Sequence, residues 1–534
     1  MAPYNFLFIM TDQHRADHLS CYGNPILSTP NLDRIAESGV RFDRFYVSNP
    51  VCQPNRSTLM TGRMPSNHGV RHNGIPLHPR SNTFVHLLQQ AGYRTAMVGK
   101  SHLQNMGVRP AIQSKAPSPW VARTELEARY AEPMLPDDRV RVDIELLSRW
   151  RDEGEVEIPR PYYGFDDVKL TISHGDFVRG HYQNWLAERH PDPSSLSGPK
   201  NALPSDRDLH ISQAWRTRVP EELYPTTYIT EETIHCLEAH AASASDSPFF
   251  LFCSYPDPHH PFNPPGRYFD LYKPEDLPLP AAWGNAHDRT PPHMQTLIKE
   301  RGTEDAVRHT PAGFAVTAEE AREATALTYG MISMIDDGVG QILDRLQQLG
   351  LAENTVVCFT SDHGDLMGDQ QLMLKGPYHF RGLIRVPMLM QVPGMTTGTS
   401  TQSLASTVDI AQTIMQLAEV ESYNGIQGHS LVPLLDHPDA AVRDHVLIED
   451  DGQRLLKGTN RRIRLRTLIT PEWRLTYYDG FEFGELYRLT DDVVEHNNLW
   501  NDPEAQTVKA ALTERLVRSI IDHQDRSPLP DYLA

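Results

Sequence analysis

The sequence predicts an α/β fold in two parts: a large, mostly parallel sheet flanked by helices, and a smaller C-terminal antiparallel sheet with one helix. Short apolar runs alternate with helical patterns over most of the chain, and such alternation is typical of a parallel sheet. After about residue 440 the pattern changes to short, partly alternating segments, which favour an antiparallel sheet. The chain has 534 residues, enough for both parts. We place the first domain at residues 1–435 and a C-terminal α+β subdomain at residues 436–534.

The predicted strands of the first domain are short apolar runs bounded by polar residues. The first run ends in Thr11-Asp12, as expected of a buried parallel strand that delivers a polar residue at its carboxyl end. The predicted strands are residues 5–10, 40–47, 94–98, 249–254, 356–360 and 386–391.

Helical patterns lie between these strands. The helix predicted at residues 30–38 has Leu32 and Ile35 on one face, and Gly39 ends it. Further helices are predicted at residues 81–91, 318–349 and 408–417. Residues 105–225 contain many prolines and charged residues, so we expect irregular insertions over the sheet edge there.

The last hundred residues have a different pattern. Short segments with partial alternation predict strands at residues 446–449, 462–468, 473–478 and 485–489. A helix is predicted at residues 504–521, where it would close this small sheet.

Polar side chains that can act in catalysis or metal binding lie at the ends of four of the predicted strands. Asp12, Lys100, His259 and the pair Asp362-His363 each come at or just after a strand end. Loops are polar in general, so one such residue would mean little. In parallel sheets, however, ligands bind outside the carboxyl ends of the strands. Four ends that all carry Asp, His or Lys favour one shared site.

Composition excludes several classes of function. The net charge is −19 and the charges are interspersed, which argues against a nucleic-acid partner or an anionic membrane. The N-terminus has no basic region before its apolar run, and no apolar run approaches the roughly 20 residues of a membrane span. Five scattered cysteines are typical of reduced thiols rather than a disulfide framework. We therefore expect a cytoplasmic protein.

One cysteine lies in an unusual setting. Cys52 precedes Pro54, Arg56 and a predicted helix at residues 57–61, so it lies near a helix N-terminus. That position favours thiolates and bound anions, and an arginine beside it can hold an oxyanion by paired hydrogen bonds. Taken alone, the cysteine is more typical of a small buried side chain beside a surface arginine.

The segment Cys52-Gln53-Pro54-Asn55-Arg56 resembles the C-x-P-x-R motif of type I sulfatases, in the alkaline phosphatase superfamily, and Thr61-Gly62-Arg63 continues the match. The resemblance extends from Asn5 to about Asp502. It implies an alkaline phosphatase-like fold, with residues 1–435 as the catalytic domain. It also implies that a formylglycine-generating enzyme oxidises Cys52 to formylglycine, which is hydrated to a geminal diol.

The resemblance implies one divalent metal. Its ligands would be Asp12, Gln13, Asp362, His363 and an oxygen from residue 52. Many sulfatases have two consecutive Asp at the first position and Asp-Asn at the second, whereas this chain has Asp-Gln and Asp-His. Oxygen ligands favour calcium and an imidazole tolerates manganese, so both ions stay open. The departure is shared with phosphonate monoester hydrolases and choline sulfatases.

The remaining site residues also follow from the resemblance. Lys100 and His102 match the family's Gly-Lys-x-His, and would hold the formylglycine hydrate and a sulfate oxygen, with His102 taking part in sulfate release. His259, preferred over His260 by register, and Lys375 would face the ester oxygen as it leaves. The expected catalytic residues are Cys52, Arg56, Lys100, His102, His259 and Lys375, and Asn73 is expected to line the substrate pocket.

The leading hypothesis is hydrolysis of a small-molecule sulfate monoester to an alcohol and inorganic sulfate. The nearest alternative is a phosphonate monoester or phosphodiester hydrolase on the same scaffold, because those relatives share the two metal pairs but lack Gly-Lys-x-His. A metal-independent thiol enzyme and a non-catalytic binding protein are more distant alternatives. The sequence identifies neither the alcohol of the substrate nor the oligomeric state, and a homo-oligomer is compatible with it.

Overall fold

A computed structural model describes residues 3–107, 140–243, 246–308, 312–455, 459 and 461–530. The strands within these ranges are, in chain order, β1 (Asn5–Thr11), β2 (Val40–Phe42), β3 (Phe45–Tyr46), β4 (Arg94–Lys100), β5 (Asp167–Ile172), β6 (Arg179–Gly180), β7 (Phe249–Ser254), β8 (Phe314–Ala315), β9 (Thr355–Ser361), β10 (Leu372–Met373), β11 (Met388–Gln391), β12 (Thr399–Thr401), β13 (Ala405–Ser406), β14 (Val446–Leu455), β15 (Arg462–Ile469), β16 (Trp473–Tyr478) and β17 (Gly484–Arg488).

Helices lie between the strands along the chain. In the described residues they are α1 (Pro30–Glu37), α2 (Cys52–Thr61), α3 (Pro65–His68), α4 (Phe84–Gln90), α5 (Leu147–Glu153), α6 (His181–Arg189), α7 (Pro225–Ala241), α8 (Pro292–Glu300), α9 (Ala318–Gln348), α10 (Arg381–Ile384), α11 (Asp409–Leu417), α12 (Val432–Asp436) and α13 (Gln506–Asp522). The longest, α9, begins with a capping box in which Thr317 and Glu320 each accept a backbone N–H of the other.

Nine strands form the central sheet, in the order β12-β2-β11-β9-β1-β7-β4-β5-β6. The middle strands β9, β1, β7, β4 and β5 are all parallel, while β11 and β6 pair antiparallel with their neighbours. The mostly parallel sheet predicted from sequence is therefore confirmed. Since four predicted site segments follow adjacent parallel strands, their side chains leave the sheet at the same edge.

Both faces of this sheet are buried. Along β1, Phe6 and Phe8 belong to the apolar cluster on one face, and Leu7 and Ile9 belong to the cluster on the other. Burial on two faces explains why the strand is continuously apolar rather than alternating.

The region at residues 105–225 differs from the prediction. Its residues 108–139 lie outside the described part, but the rest contains α5 and α6, and β5 and β6 extend the central sheet. The strand signal was present, since Val168, Leu170 and Ile172 alternate with polar residues, but charged and proline-rich neighbours obscured it. The strand predicted at residues 40–47 is also divided, because β3 leaves the central sheet and pairs with β13.

The C-terminal sheet has four antiparallel strands in the order β14-β15-β16-β17, as predicted. Leu468, Leu475 and Leu486 point from its strands into an apolar cluster with Leu512 and Leu516 of α13. Among the helices described, none has the length and apolar character needed to cross a bilayer.

Candidate active site

The predicted site residues meet in one pocket at the carboxyl edge of the central sheet. The pocket encloses about 570 Å³. Its inner wall contains Cys52, Asn73, His102, His259 and Lys375. Asp12 and Asp362 lie beneath that wall and are fully buried.

Cys52 lies at the first position of α2 and is 1% exposed. Its Sγ atom is 3.0 Å from Lys375 Nζ, 3.1 Å from His363 Nε2 and 3.7 Å from Asp12 Oδ1. The helix therefore begins five residues earlier than predicted. Pro54 does not prevent this, because backbone N–H groups in the first turn of a helix have no intrahelical acceptor to lose.

Arg56 joins the first turn of α2 to three strand ends. Its Nε donates to Asp362 Oδ2 at 2.6 Å, and its Nη1 donates to the Lys100 carbonyl at 2.8 Å and to Ser254 Oγ at 2.9 Å. The guanidinium is 1% exposed, and its Nη2 has no hydrogen-bond partner among the described residues. One donor is therefore left for another group.

The metal ligands implied by the resemblance lie close together. Asp12, Cys52, Asp362 and His363 each offer a ligand atom, and these atoms all lie within 4.8 Å of one another. His363 Nδ1 donates to the Gly364 carbonyl at 2.8 Å, so its Nε2 lone pair faces the cluster. A hydrogen bond of this kind orients an imidazole for metal binding.

Gln13 provides independent evidence that these residues suit a metal ion. Its Nε2 donates to Asp365 Oδ2 at 2.6 Å, and this bond fixes the orientation of the amide. Its Oε1 is buried and has no hydrogen-bond partner among the described residues. A buried acceptor without a donor is costly, and a cation would satisfy it. Two carboxylates, an amide oxygen and an imidazole form a donor set that suits calcium or manganese.

Positive charge surrounds Asp12. Lys100 Nζ forms a buried ion pair with its Oδ2, and His174 Nε2 lies 3.3 Å from the same oxygen. Burial raises the pKa of Asp12, but Lys100, His259 and His174 outweigh burial and hold that pKa well below its usual range. The carboxylate is therefore ionised.

His259 and Lys375 lie together beside Cys52. Lys375 Nζ is 3.1 Å from His259 Nε2. His259 Nδ1 donates to the His260 carbonyl at 2.6 Å, so Nε2 is the acceptor nitrogen. Burial, with help from His174 and His260, lowers the pKa of His259 well below its ordinary value, which keeps the ring neutral. Burial lowers the pKa of Lys375, but Cys52 and Asp12 raise it above the ordinary value, so the ammonium keeps its charge.

His102 and Asn73 also line the pocket. His102 has a φ of 54°, and its buried Nδ1 has no partner among the described residues. Burial, with help from Lys100 and Arg56, lowers the pKa of His102 well below its ordinary value. Asn73 Oδ1 accepts the backbone N–H of Gln53 at 3.1 Å, which ties the Asn73 segment to the first turn of α2.

The outer wall of the pocket comes from the region at residues 105–225, where the sequence predicted only irregular insertions. Phe177 and Trp215 meet edge to face with ring centroids 5.4 Å apart. Pro199, Ser212 and Ala214 complete this wall. No carboxylate is among the described residues that line the pocket.

Sequence reasoning missed His174, which joins the two halves of the site. Its ring stacks on His259 with centroids 3.7 Å apart, and its Nε2 is 2.8 Å from Lys100 Nζ. It follows β5 by two residues, so the strand-end argument that found Asp12 and Lys100 would have found it once β5 was recognised. Asp365, which orients Gln13, was also missed, because its carboxylate acts through another side chain.

Comparison with known proteins places the chain in a family. The model of the sulfatase family matches residues 4–420, and the model of the C-terminal region of N-sulphoglucosamine sulphohydrolase matches residues 375–522. An arylsulfatase of Clostridium perfringens is 28% identical over 522 residues, covering 94% of this chain and 91% of that protein. A multifunctional alkaline phosphatase superfamily protein of Trinickia caryophylli is 27% identical, covering 99% and 97% of the two chains.

Solved structures give the same fold. The phosphonate monoester hydrolase of Agrobacterium radiobacter superposes with a TM-score of 0.76 at 24% identity, covering 98% of this chain and 97% of that one. The sulfatase model alone spans more than three-quarters of the sequence and includes every strand end that carries a site residue. The chain therefore belongs to the sulfatase family of the alkaline phosphatase superfamily, and it is a sulfuric ester hydrolase.

Proposed function

We propose that the chain hydrolyses sulfate monoesters to an alcohol and inorganic sulfate, with formylglycine made from Cys52 and one divalent metal. One observation carries the proposal. The buried Cys52 side chain begins a helix at the pocket, where Asp12, His363 and Lys375 all contact it. The site therefore combines a modifiable residue, a metal ligand set and cations for an anionic ester.

Asp12, Gln13, Asp362 and His363 would hold the metal, which when bound acts as a Lewis acid toward the hydroxyl that attacks and the sulfate oxygens. When formed, the hydrated formylglycine supplies two hydroxyl groups on one carbon: one attacks sulfur, and the other loses its proton as sulfate is expelled. An unmodified thiol or hydroxyl lacks the second group.

The other side chains bind, orient and transfer protons. Arg56 keeps Asp362 in place and has one free donor, Nη2, for an oxyanion. Lys100 lies beside Asp12, where its ammonium would attract a sulfate oxygen. The charge and donors of these groups are worth more in a buried site than in water.

The departing alcohol needs a proton or a cation at its oxygen. Lys375 lies 3.1 Å from the neutral His259, and the carboxylates of Asp12 and Asp362 favour its ammonium form independently of Cys52, so the pair can donate to that oxygen. His102 is neutral and lines the pocket with Cys52, so it can accept the proton lost when sulfate is expelled. Assigning donor and acceptor to different side chains lets one site perform both steps.

The decisive experiment combines intact mass with activity. Protein made in a host with the modifying enzyme should contain a species about 18 Da lighter than the unmodified chain, before hydration, because an aldehyde replaces a thiol at Cys52. Cys52→Ala should keep the fold, as judged by its melting temperature, and lose turnover of 4-nitrophenyl sulfate. Full activity in protein that mass spectrometry shows to be wholly unmodified would overturn the proposal.

The Asp-Gln and Asp-His metal pairs favour a second candidate, hydrolysis of phosphonate monoesters. Such a substrate has carbon where a sulfate ester has a terminal oxygen, so Lys100 would lose a charged hydrogen bond worth on the order of 1.5–3 kcal/mol. We therefore expect kcat/KM to favour 4-nitrophenyl sulfate over 4-nitrophenyl phenylphosphonate. Lys100→Ala should lose more sulfate than phosphonate activity. A wild type that prefers the phosphonate would favour the second candidate.

A further inference from the structure

A second pocket, of about 270 Å³, lies between the catalytic domain and the C-terminal sheet. Its walls come from the segment before β3, from α10 and from the turn between β15 and β16. It shares no lining residue with the candidate active site. Four arginines line it, namely Arg44, Arg381, Arg385 and Arg474, against two carboxylates, Asp43 and Glu495.

Both carboxylates are already engaged by other groups. Asp43 pairs with Arg41 at 2.7 Å and accepts a hydrogen bond from Gln402. Glu495 pairs with the buried Arg474, which also pairs with Glu485 at 2.9 Å. Asp43 is therefore balanced by Arg41, whereas Arg474 lies between two carboxylates and leaves that buried trio with one net negative charge.

The other three arginines have no carboxylate partner in the described part of the chain. Arg44 donates to the Pro471 carbonyl at 3.2 Å, and Arg385 donates to the Asp43 carbonyl at 2.7 Å. The Arg381 side chain makes no hydrogen bond to any described residue, while its backbone N–H donates to Glu495 Oε2 at 2.8 Å. Three guanidinium groups without an ion-pair partner exceed the one net negative charge of the Arg474 trio, so the pocket is cationic in a protein of net charge −19.

The electrostatics show that these groups act on one another. Burial and the charge of Arg381 lower the pKa of Arg385 below its ordinary value. Burial raises the pKa of Tyr46, while Arg381, Arg385 and Arg44 all oppose that rise. The three cations therefore all act on the Tyr46 phenol, where Glu495 opposes them, and the carboxylate of Asp17 acts on Arg385.

We propose that this pocket binds a tetrahedral oxyanion, a phosphate or sulfate group, through Arg44, Arg381 and Arg385. Guanidinium groups match such oxyanions because each presents paired N–H donors in a plane. The group can be a free ion or a substituent on a larger molecule, and both sources share this chemistry. The bound anion would connect the catalytic domain to the C-terminal sheet and stabilise their contact.

The test is a calorimetric titration of the metal-loaded enzyme with inorganic phosphate, and separately with glucose 6-phosphate, at ionic strength fixed with sodium chloride. Arg381→Gln is the principal variant, because the Arg381 side chain is exposed and its loss should not impair folding. Arg385→Gln is the second. Arg151→Gln removes an exposed arginine whose partner is Asp152, and is the matched control.

We expect wild type and Arg151→Gln to bind phosphate at this site, and each pocket variant to bind roughly ten- to a hundredfold more weakly, as loss of one charged hydrogen-bond donor implies. Phosphate inhibition of turnover, which reports on the active site, should be unchanged in Arg381→Gln. Tighter binding of glucose 6-phosphate than of phosphate would identify a substituent as the source, and the reverse order would identify the free ion. Identical isotherms in wild type and the double variant Arg381→Gln/Arg385→Gln would overturn the proposal. The titration needs no turnover, so failure of the proposed sulfatase activity would leave its result interpretable.

Discussion

Replacing Arg56 by lysine separates the two roles that the structure gives this residue. The guanidinium connects Asp362 on one side to the Lys100 carbonyl and Ser254 Oγ on the other. A lysine keeps the charge, but a single ammonium cannot reach both sides. We therefore expect Arg56→Lys to retain the contact with Asp362 and to lose the other two.

The size of the effect follows from these contacts. Hydrogen bonds to a charged group contribute roughly 1.5–3 kcal/mol each, and breaking a buried ion-pair network costs about 3–5 kcal/mol. Since the charge is kept, we expect Arg56→Lys to lower the free energy of unfolding by about 3 kcal/mol. Proteins of ordinary stability, roughly 5–15 kcal/mol, tolerate that loss and stay folded. Loss of Nη2 as an oxyanion donor should lower kcat/KM by about 10²–10³.

Urea unfolding and turnover of 4-nitrophenyl sulfate measure the two effects separately. Arg443→Lys is the matched control, because Arg443 forms a buried ion pair with Asp409, and neither residue lines the candidate active site. The control should lose stability but keep kcat/KM at a temperature where it is folded. If Arg56→Lys keeps the wild-type kcat/KM while losing as much stability as the control, Arg56 is structural only and the assigned oxyanion contact is wrong.

Three further predictions follow from other contacts. Gln13→Ala should raise the Kd for calcium or manganese roughly tenfold in a calorimetric titration, because its unpaired Oε1 is lost, and chelation of wild type should abolish turnover. Trp215→Ala should raise KM for 4-nitrophenyl sulfate about tenfold with little change in kcat, because the aromatic wall contacts the alcohol rather than the reacting sulfur. Burial raises the pKa of Asp336 to about 6, above that of an unfolded Asp, so its stabilising effect is complete below about pH 4 and is lost as the pH rises through 6. Between about pH 5 and pH 7.5, urea unfolding of wild type should lose roughly 1 kcal/mol that Asp336→Asn does not.

The sequence predicted the part of the site that depends on strand order. Asp12, Lys100, His259 and Asp362 lie at or after the carboxyl ends of β1, β4, β7 and β9, and these four strands are neighbours in the sheet. Each strand contains an apolar run with a polar end, so both its position and its direction can be predicted from local sequence. Their convergence then follows from parallel pairing alone.

The rest of the site depends on contacts that no local pattern encodes. Lys375 follows a two-residue strand, and its Nζ reaches Cys52 across 323 positions of sequence. His174 lies in a region whose prolines and charges hid β5, and it reaches the site only because β5 pairs with β4. Lys375 was predicted only from the family resemblance, and His174 was not predicted. Residues that reach the site through long-range contacts could therefore not be identified from local sequence patterns.

The arrangement around Cys52 also bears on the alternative of a simple thiol enzyme. Burial and Asp12 raise the pKa of the thiol, yet Lys100, Lys375 and His363 together lower it below the ordinary value, as a thiolate nucleophile would need. A thiolate site, however, has no use for a carboxylate oxygen 3.7 Å from sulfur, because that charge opposes ionisation. Nor does it explain Gln13 Oε1, which is buried without a donor. A divalent cation explains both, since it balances the carboxylate and satisfies the amide oxygen. The geometry therefore favours an oxygen nucleophile beside a metal over a sulfur nucleophile without one.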